Sequence, residues 1–458
     1  MNRTGRHTPT TSIGRLRSGP AIALAAALLL GATAPPAAAQ EDDRGDVRLG
    51  ITYSPGYQPG VVVTSVGFAT ASGLGETARA VETILRTDLL YADRFEIIPI
   101  PDTVRATSEV NYALWNELGA VWLVSSELTG TASAPVLRVS LHDVVFGELK
   151  EVDSFSLPPR DARDFRMEMH RVSDRVVEWA TGDPGIAATR IVFRRKTGEG
   201  TSDVYAIDYD GENLTRLTSE NTIVYSPDLS PEGTHLLYVS YDRGWPIVYE
   251  KDLRNGSRRT ISSVEGLNVT PVYSPDGSRI LLARTAGGHT ELFEFRRDPL
   301  GAPRRLTYTS SGETLNGGYS PDGGRIAFTS SPLGLPQIYV MSASGGSQRL
   351  ISRYVYGERG YATSPDWAPE NGRIAYQAWI EDSFQIVTVG PDGSDRRVLT
   401  SSGSNEDPSW APDGRHLVFA SAGSGGRALL ILDTVSGRVR TLTSGRVDQL
   451  PDWSPPLP

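Results

Sequence analysis

The C-terminal part of the chain repeats one short pattern of polar and apolar positions. Each copy places an apolar or aromatic residue ahead of a small residue and a proline, and five of the six copies also begin with proline. The copies occupy residues 227–231, 271–275, 317–321, 365–369, 408–412 and 451–455. Their last prolines lie 43 to 48 positions apart. A repeat of this length is typical of a solenoid or a propeller.

The residues after each copy favour the propeller. In the third repeat, residues 325–330, 336–341 and 349–351 are short apolar runs separated by turn residues. The repeated phrase is itself a short strand ahead of them. Four strands in about 40–50 residues make one propeller blade, whereas a helical solenoid needs two helices in that span.

Pro-Asp-Gly turns follow three of the phrases, at residues 275–277, 321–323 and 412–414. Proline fixes φ, the aspartate side chain can bond its own backbone, and glycine tolerates a positive φ. A calcium site is the alternative for these aspartates, but calcium needs several carboxylates around one ion. We therefore interpret them as turn residues.

The two ends of the repeat complete each other. Residues 191–193, 204–207 and 214–217 predict three strands with no phrase ahead of them, and residues 451–455 are a phrase with no strands after it. Together they predict one blade closed by the C-terminal strand. The sequence therefore predicts a closed six-bladed propeller over residues 186–458, without an open edge.

A different pattern precedes the propeller. Residues 60–68 predict a buried strand, and Ala80, Val81, Ile84, Leu85 and Leu89 form the apolar stripe of a helix. Further strands and a second long helix over residues 161–181 follow, and residues 182–185 make a glycine- and proline-rich boundary. We expect a small α/β domain over residues 60–185. On its last helix His170 and Asp174 share a face, which suggests a metal or acid–base pair or, more simply, a solvated or inter-domain polar contact.

The first residues have the composition of an export signal. Basic residues precede an apolar run at 21–30, and small residues 37–39 provide a cleavage site near Ala39. The run is shorter than the roughly 20 residues of a membrane-spanning helix. We expect residues 1–39 to be a cleaved signal peptide, and residues 40–59 to be a mobile N-terminal segment and connector.

Composition excludes several functions. The formal net charge is −9, which disfavours nucleic acids as partners, and the absence of cysteine excludes disulfides and thiol catalysis. No hydrolase elbow, phosphate-binding loop or zinc-protease motif occurs. We expect neither catalysis nor a cofactor or metal.

Binding is expected where loops enter the innermost strands, around the mouth of the central channel. These loops are residues 220–222, 265–270, 312–316, 356–359, 405–407 and 447–450. Each carries a carboxylate, so the sequence predicts an acidic funnel.

Several segments resemble the TolB family over nearly the whole chain after the signal. They are residues 84–89 followed by 95–99, residues 170–174 with 181–182, Gly185 and 189–191, residues 336–339, and the terminal phrase 451–455. The resemblance implies a non-enzymatic, monomeric periplasmic scaffold that takes part in outer-membrane constriction during cell division and in envelope integrity.

The resemblance also implies the partners. TolB proteins bind the peptidoglycan-associated lipoprotein Pal through the propeller and TolA through the N-terminal segment, and other outer-membrane proteins are further candidates. The expected Pal-binding residues are Leu267, Asn268, Thr270, Glu313, Leu315, Asn316, Glu406 and Asp407. The expected TolA-binding residues are Asp46, Val47, Arg48, Leu49 and Ile51, in an unusually acidic segment. A propeller that gates substrate for a peptidase, or one that binds saccharides, is the alternative.

Overall fold

We describe a computed structural model of the chain. It describes residues 57–69, 73–101, 110–353, 360–370, 372–423 and 426–457. The expected signal peptide, the TolA-binding residues 46–51 and the loop 356–359 lie outside these ranges. The described residues belong to one compact unit, Tyr53–Pro458.

The N-terminal part is a mixed sheet packed by helices. Its strands are β1 (Gly60–Val63), β2 (Gly67–Phe68), β3 (Glu96–Ile97), β4 (Ala120–Thr131), β5 (Ala134–Asp143) and β6 (Glu148–Ser156). Its helices are α1 (Gly75–Tyr91), α2 (Tyr112–Glu117) and α3 (Phe165–Thr181). The sheet order is β3-β1-β4-β5-β6, with β2 beside β4. Strands β1 and β3 are parallel to their neighbours, whereas β4, β5 and β6 form an antiparallel meander.

The apolar stripes of α1 and α3 form the core of this α/β part. Val81, Leu85 and Leu89 of α1 pack with Val172 and Val176 of α3, and all five are at most 1% exposed. Each such side chain contributes roughly 1.5–3 kcal/mol when fully buried. Helix α3 ends at Gly182, whose left-handed φ of 80° lets the chain turn toward the next strand.

Six four-stranded antiparallel sheets follow. Blade 1 is β10 (Val224–Leu229), β11 (His235–Ser240), β12 (Ile247–Asp252) and β13 (Arg258–Ser262). Blade 2 is β14 (Asn268–Tyr273), β15 (Arg279–Ala286), β16 (His289–Arg296) and β17 (Arg304–Arg305). Blade 3 is β18 (Thr314–Tyr319), β19 (Arg325–Ser330), β20 (Gln337–Ser342) and β21 (Arg349–Leu350). Blade 4 is β22 (Ala362–Trp367), β23 (Ile374–Ile380), β24 (Ser383–Val389) and β25 (Arg397–Val398).

Blade 5 is β26 (Ser404–Trp410), β27 (His416–Gly423), β28 (Gly426–Asp433) and β29 (Val439–Thr441). Blade 6 joins the C-terminal β30 (Asp448–Trp453) to β7 (Arg190–Gly198), β8 (Thr201–Asp208) and β9 (Thr215–Arg216). Trp453 pairs with Ile191, and Asp452 with Val192. The predicted fold class, including closure of the ring by the last strand, is confirmed.

Neighbouring blades share their cores. Leu281 and Leu292 of blade 2 pack in one cluster with Ile326 and Phe328 of blade 3, and none of the four is exposed. Because each strand has one face toward the preceding blade and one toward the next, its central residues are apolar on both faces. This explains the continuous apolar runs in the middle strands.

Two details differ from the sequence-based expectation. The strand predicted over residues 60–68 is broken into β1 and β2, and Thr64 instead donates its backbone N–H to the carbonyl of Val124. The residues expected in mouth loops at Asn268, Thr270, Leu315, Asn316, Glu406 and Asp407 lie inside the innermost strands. These strands begin upstream of the proline phrase because each contains a bulge.

Candidate functional site

The bulge of each innermost strand has an unusual backbone. The residue before the phrase has a positive φ between 49° and 55° in all six blades, and the strand register shifts at this point. These residues are Ser226, Thr270, Asn316, Ser364, Asp407 and Leu450. Non-glycine residues seldom adopt this conformation. The bulges turn all six side chains toward a central channel of about 590 Å³, where they form one ring, which we call the mouth ring.

A second ring lies two residues further along the strands. Its members are Asp228, Val272, Gly318, Asp366, Ser409 and Asp452, and all of them line the channel. The polar members of this ring accept backbone N–H groups from the next blade. Asp452 accepts from Leu229 at 3.1 Å, Asp228 from Tyr273 at 2.8 Å, and Asp366 from Trp410 at 2.6 Å.

Ser409 makes the corresponding contact with the N–H of Trp453 at 3.0 Å. In four of the six phrases, the side chain at the second position therefore forms a hydrogen bond that links one blade to the next. This contact accounts for the aspartate at the second position of three phrases, namely Asp228, Asp366 and Asp452. These side chains therefore have a structural role, although they also line the channel.

The channel carboxyls are held in an environment that favours the neutral form. Burial raises the pKa of Asp366 to about 7 and that of Asp452 to about 6. Burial, and after it the charge of Asp452, raise the pKa of Asp228 well above its ordinary value. All three side chains remain half-buried because one side faces the channel. Their backbone hydrogen bonds only partly offset the desolvation.

Three of the expected Pal-binding residues lie in the mouth ring: Thr270, Asn316 and Asp407. The hydroxyl of Thr270 accepts the N–H of Asn316 at 3.2 Å, and that of Ser364 donates to Asp407 at 3.3 Å. Burial, followed by the charge of Glu406, raises the pKa of Asp407 to about 6. The mouth ring is thus polar at five of its six positions, and two neighbouring pairs within it are joined by hydrogen bonds.

The other expected residues surround this ring at different depths. Leu267 and Glu313 are exposed, whereas Leu315 is half-buried against the core shared by blades 2 and 3. Glu406 is half-buried and pairs with Arg427 at 2.8 Å. Asn268 requires a correction.

Asn268 has no exposed surface, and its amide donates to the carbonyls of Pro246 and Val264. Its amide oxygen accepts from Ser262 at 2.6 Å. These bonds hold the start of β14 in place, so the side chain is not available to a partner. The sequence did not reveal this because the same polar residue suits a loop or a buried cap.

Three carboxylates of the predicted acidic funnel are paired with arginines. Glu220 accepts from Arg258 at 2.7 Å, and Asp448 accepts from Arg195 at 2.7 and 2.8 Å. Glu406 is paired with Arg427, as described above. The arginines come from other strands, Arg195 from β7, Arg258 from β13 and Arg427 from β28, and no sequence pattern indicated these pairs. The mouth face therefore presents ion pairs at three of its loops, together with the exposed carboxylates of Glu265 and Glu313.

Large apolar side chains are exposed around the mouth, in a set that we call the apolar rim. Loops that enter the innermost strands supply Ile223, Leu267 and Tyr361, which are 38%, 40% and 37% exposed. Hairpins between second and third strands supply Trp245 and Leu333, which are 45% and 50% exposed. Sequence analysis identified only Leu267. For Trp245 a signal existed, since a large apolar residue stands between Gly244 and Pro246 in a turn.

A separate polar cluster joins the α/β part to the propeller. His170 Nδ1 lies 2.9 Å from Asp88, whose other oxygen accepts the hydroxyl of Tyr209 at 2.8 Å. Asp210 lies 3.6 Å from His170 Nε2 and contacts Arg166. The donor atoms of Asp88, His170 and Asp210 lie within 4.8 Å of one another. Because Arg166 and the ring of His170 already contact the two carboxylates, the arrangement suits a polar network better than a dication.

The neighbouring Asp174 binds the backbone of the segment that joins the α/β part to the propeller. Its carboxylate accepts the N–H groups of Ala187 and Ala188 at 2.7 and 2.8 Å. Burial raises its pKa to about 7 in spite of these bonds. Of the two roles left open for His170 and Asp174, the structure supports the inter-domain contact, in which His170 is fully buried and Asp174 is half-buried.

Comparisons with known proteins agree with this architecture. Residues 177–457 match the family model described as the TolB beta propeller domain. The chain belongs to the TolB family. It is 33% identical over 291 residues to the "Tol-Pal system protein TolB" of Anaeromyxobacter sp. (strain K), and 32% identical over 217 residues to that of Polaromonas sp. (strain JS666). These alignments cover 62% and 46% of this chain, and 64% and 49% of the relatives, so the chain spans less than two thirds of their length.

A solved TolB structure extends the similarity to the α/β part. The crystal structure of TolB from Acinetobacter baumannii superposes with a TM-score of 0.75 at 25% identity. The match covers 88% of this chain and 98% of that one. Among the helices of the described residues, none has the length and apolar content needed to cross a bilayer.

Proposed function

We propose that this TolB-family chain is a periplasmic, non-enzymatic scaffold of the Tol–Pal system whose propeller mouth binds Pal. The observation that carries the proposal is the apolar rim around the open channel. Single exposed apolar residues are ordinary on a protein surface, but several around one concavity favour a protein-binding face. The names of the relatives support membership of the Tol–Pal system.

The composition of the mouth suits a protein partner. Trp245 provides an exposed aromatic side chain on this face, and the mouth ring provides hydroxyl groups and the amide of Asn316. Interfaces commonly combine such aromatic anchors with a polar surround. Within the predicted set, Thr270, Asn316, Asp407, Leu267 and Glu313 remain in the proposed surface.

Titration of the mature chain with the purified periplasmic domain of Pal tests the proposal. Trp245→Ala is expected to weaken binding by about 2 kcal/mol, roughly thirtyfold, because it removes an aromatic anchor. Val435→Ala is the matched control. Val435 is 51% exposed but lies in the hairpin between β28 and β29, at the opposite end of the propeller. Undetectable binding by the wild-type chain, or equal losses in both variants, contradicts the proposal.

The N-terminal segment is proposed to bind TolA through Asp46, Val47, Arg48, Leu49 and Ile51, which contributes to outer-membrane constriction in division and to envelope integrity. Its support is the resemblance to TolB proteins, and the acidic character of the segment is a departure from them. Deleting residues 40–52 from the mature chain is expected to abolish binding to TolA and to leave the Pal affinity unchanged. Equal loss of both activities would exclude separate sites.

A further inference from the structure

A cleft on the mouth side of blade 6 differs in charge from its surroundings. It has a volume of about 350 Å³ and lies between the β7–β8 hairpin and the start of β30. Its lining residues are Arg194, Lys196, Gly198, Gly200, Thr201, Ile223, Val447 and Gln449. These described residues include two cations and no carboxylate, in a chain whose net charge is −9. Glu199 at the hairpin tip is exposed and does not line the cleft.

Arg194 is held in this cleft by a neutral partner. Its Nη1 donates to Oε1 of Gln449 at 2.7 Å, and its buried Nε has no hydrogen-bond acceptor among the described residues. Burial lowers the pKa of Arg194. The adjacent Arg195 shows the alternative, since it is paired with both oxygens of Asp448. The buried Nε is out of a ligand's reach, but the Nη groups carry four N–H donors, of which Gln449 takes one, and a carboxylate is the ligand that suits the others.

The cleft is continuous with the proposed Pal-binding face. Ile223 lines the cleft and also belongs to the apolar rim, and Gln449 precedes Leu450 of the mouth ring. A free inorganic anion gains nothing from contact with the exposed apolar side chain of Ile223. A protein surface can present an apolar group to Ile223 and a carboxylate to Arg194 at the same time. The position therefore favours a side chain of the docked protein.

We propose that this cleft binds a carboxylate of the protein that docks on the propeller mouth, with Arg194 and Lys196 as its cationic ligands. The inference rests on the proposed Pal-binding function and adds a recognition site to it. Arg194 supplies a planar pair of donors and Lys196 an exposed positive charge at the entrance. Charged contacts at the border of an interface act chiefly on the association rate and its salt dependence.

Calorimetric and kinetic titration of the full mature chain with Pal, at 50 and 300 mM NaCl, tests the inference. At low salt, Arg194→Gln is expected to bind about tenfold more weakly, mainly through slower association, and to lose part of the salt dependence. Lys196→Gln is expected to show a smaller loss in the same direction. Arg194→Lys keeps the charge and should recover part of the affinity, which a purely packing role of Arg194 would not allow.

Arg190→Gln is the matched control. Arg190 lies on the same strand at its other end, where it pairs with Asp208 at 2.9 Å. It should leave the Pal affinity unchanged. If Arg194→Gln does not fold, Lys196→Gln decides the test, because Lys196 is exposed.

The possible outcomes separate this inference from the proposed function. Wild-type affinity and salt dependence in both cleft variants, together with weak binding by Trp245→Ala, would overturn the cleft and leave the Pal-binding face intact. No binding by the wild-type chain would overturn both. Binding of inorganic phosphate that depends on Arg194 in the absence of Pal would identify a free-anion site and overturn the assignment to a partner carboxylate.

Discussion

The indole Nε1 of Trp453, in the last strand, donates a 2.8 Å hydrogen bond to the hydroxyl of Thr189, in the segment that joins the α/β part to the propeller. Trp453 is 5% exposed and Thr189 is fully buried. The closing strand is therefore fixed both by its pairing with β7 and by a side chain at the domain boundary. Since the two residues are 264 positions apart, this contact depends on closure of the whole ring.

Loss of this contact should lower the stability of the ring. Trp453→Phe keeps most of the buried area but removes the donor, so we expect a loss of about 1–2 kcal/mol in the free energy of unfolding. Thr189→Val should cost a similar amount because it leaves the buried indole N–H without an acceptor. Urea unfolding of both single variants and the double variant measures the coupling. Strictly additive losses would show that the hydrogen bond contributes nothing.

Truncation before Pro451 tests the closure itself. It removes the second half of β30, including the residues that pair with Val192 and Ile191, and so leaves this part of β7 as an open edge in blade 6. We expect a clearly lower midpoint of thermal unfolding and a tendency to aggregate, because the exposed strand can pair with other chains. Light scattering during a thermal scan provides the measurement. Unchanged stability would contradict a closed ring.

The channel carboxyls predict a stability that falls as pH rises. The folded-state pKa of Asp366, about 7, is above its ordinary value, so the native state binds more protons than the unfolded state between about pH 4 and 7. Asp366→Asn keeps an acceptor for the N–H of Trp410 but cannot ionise. We expect it to be more stable than wild type by about 1–2 kcal/mol at pH 8, since channel water screens part of the full effect, and equal at pH 4.

Asp276→Asn is the control for this prediction. Hydrogen bonds from Ser274 and Ser278 lower the pKa of this turn carboxylate to about 2. It should therefore give no gain at pH 8. Urea unfolding of both variants at pH 4 and 8 distinguishes them. A gain of the same size in Asp276→Asn would attribute the effect to net charge rather than to the channel.

His416 gives a pH dependence at the domain boundary. It is fully buried, with Nδ1 2.7 Å from Asp413 and Nε2 3.2 Å from Asp93 of the α/β part. Burial alone lowers the pKa of His416, but the hydrogen bonds with Asp413 and Asp93 outweigh it and raise the pKa. The charged groups around it are Asp93, Asp413, Asp433, Arg415 and Arg438.

The stabilisation that protonated His416 provides should therefore be complete below the ordinary histidine pKa of about 6.5. It should be lost as pH rises through the higher pKa that His416 has in the folded protein. His416→Gln is expected to cost about 3 kcal/mol at pH 6, because it leaves buried carboxylates without their cation, and less at pH 9. Urea unfolding at the two pH values measures the difference. A cost that is independent of pH would show that folding does not raise the pKa of His416.

The positive φ of Leu450, in the mouth ring, should make the stability of the chain sensitive to the residue at this position. Leu450 has a φ of 52° and stands before Pro451, where a branched side chain is least tolerated. Leu450→Val should therefore destabilise the chain by about 1–2 kcal/mol, whereas Leu450→Gly should be neutral or slightly stabilising. Thermal unfolding compares the two. Equal destabilisation by both would assign the effect to lost side-chain contacts instead of φ.

The amino-acid sequence by itself determined the four-stranded structure of each blade, the number of blades and the closure of the ring by the C-terminal strand. These features follow from local chemistry: proline and glycine mark the turns, apolar runs mark the buried strands, and a phrase without strands at one end matches strands without a phrase at the other. It also determined the stripes of α1 and α3, since side chains three and four positions apart share one face of a helix.

Only the tertiary structure decided which polar residues are available for binding. Asn268 is buried, and Glu220 and Asp448 are neutralised by Arg258 and Arg195, because these contacts depend on the register between strands. The contact of His416 with Asp93 spans 323 positions and two structural parts. No periodicity in the chain reports such pairs, because they form only when the folded ring brings distant side chains within hydrogen-bond distance.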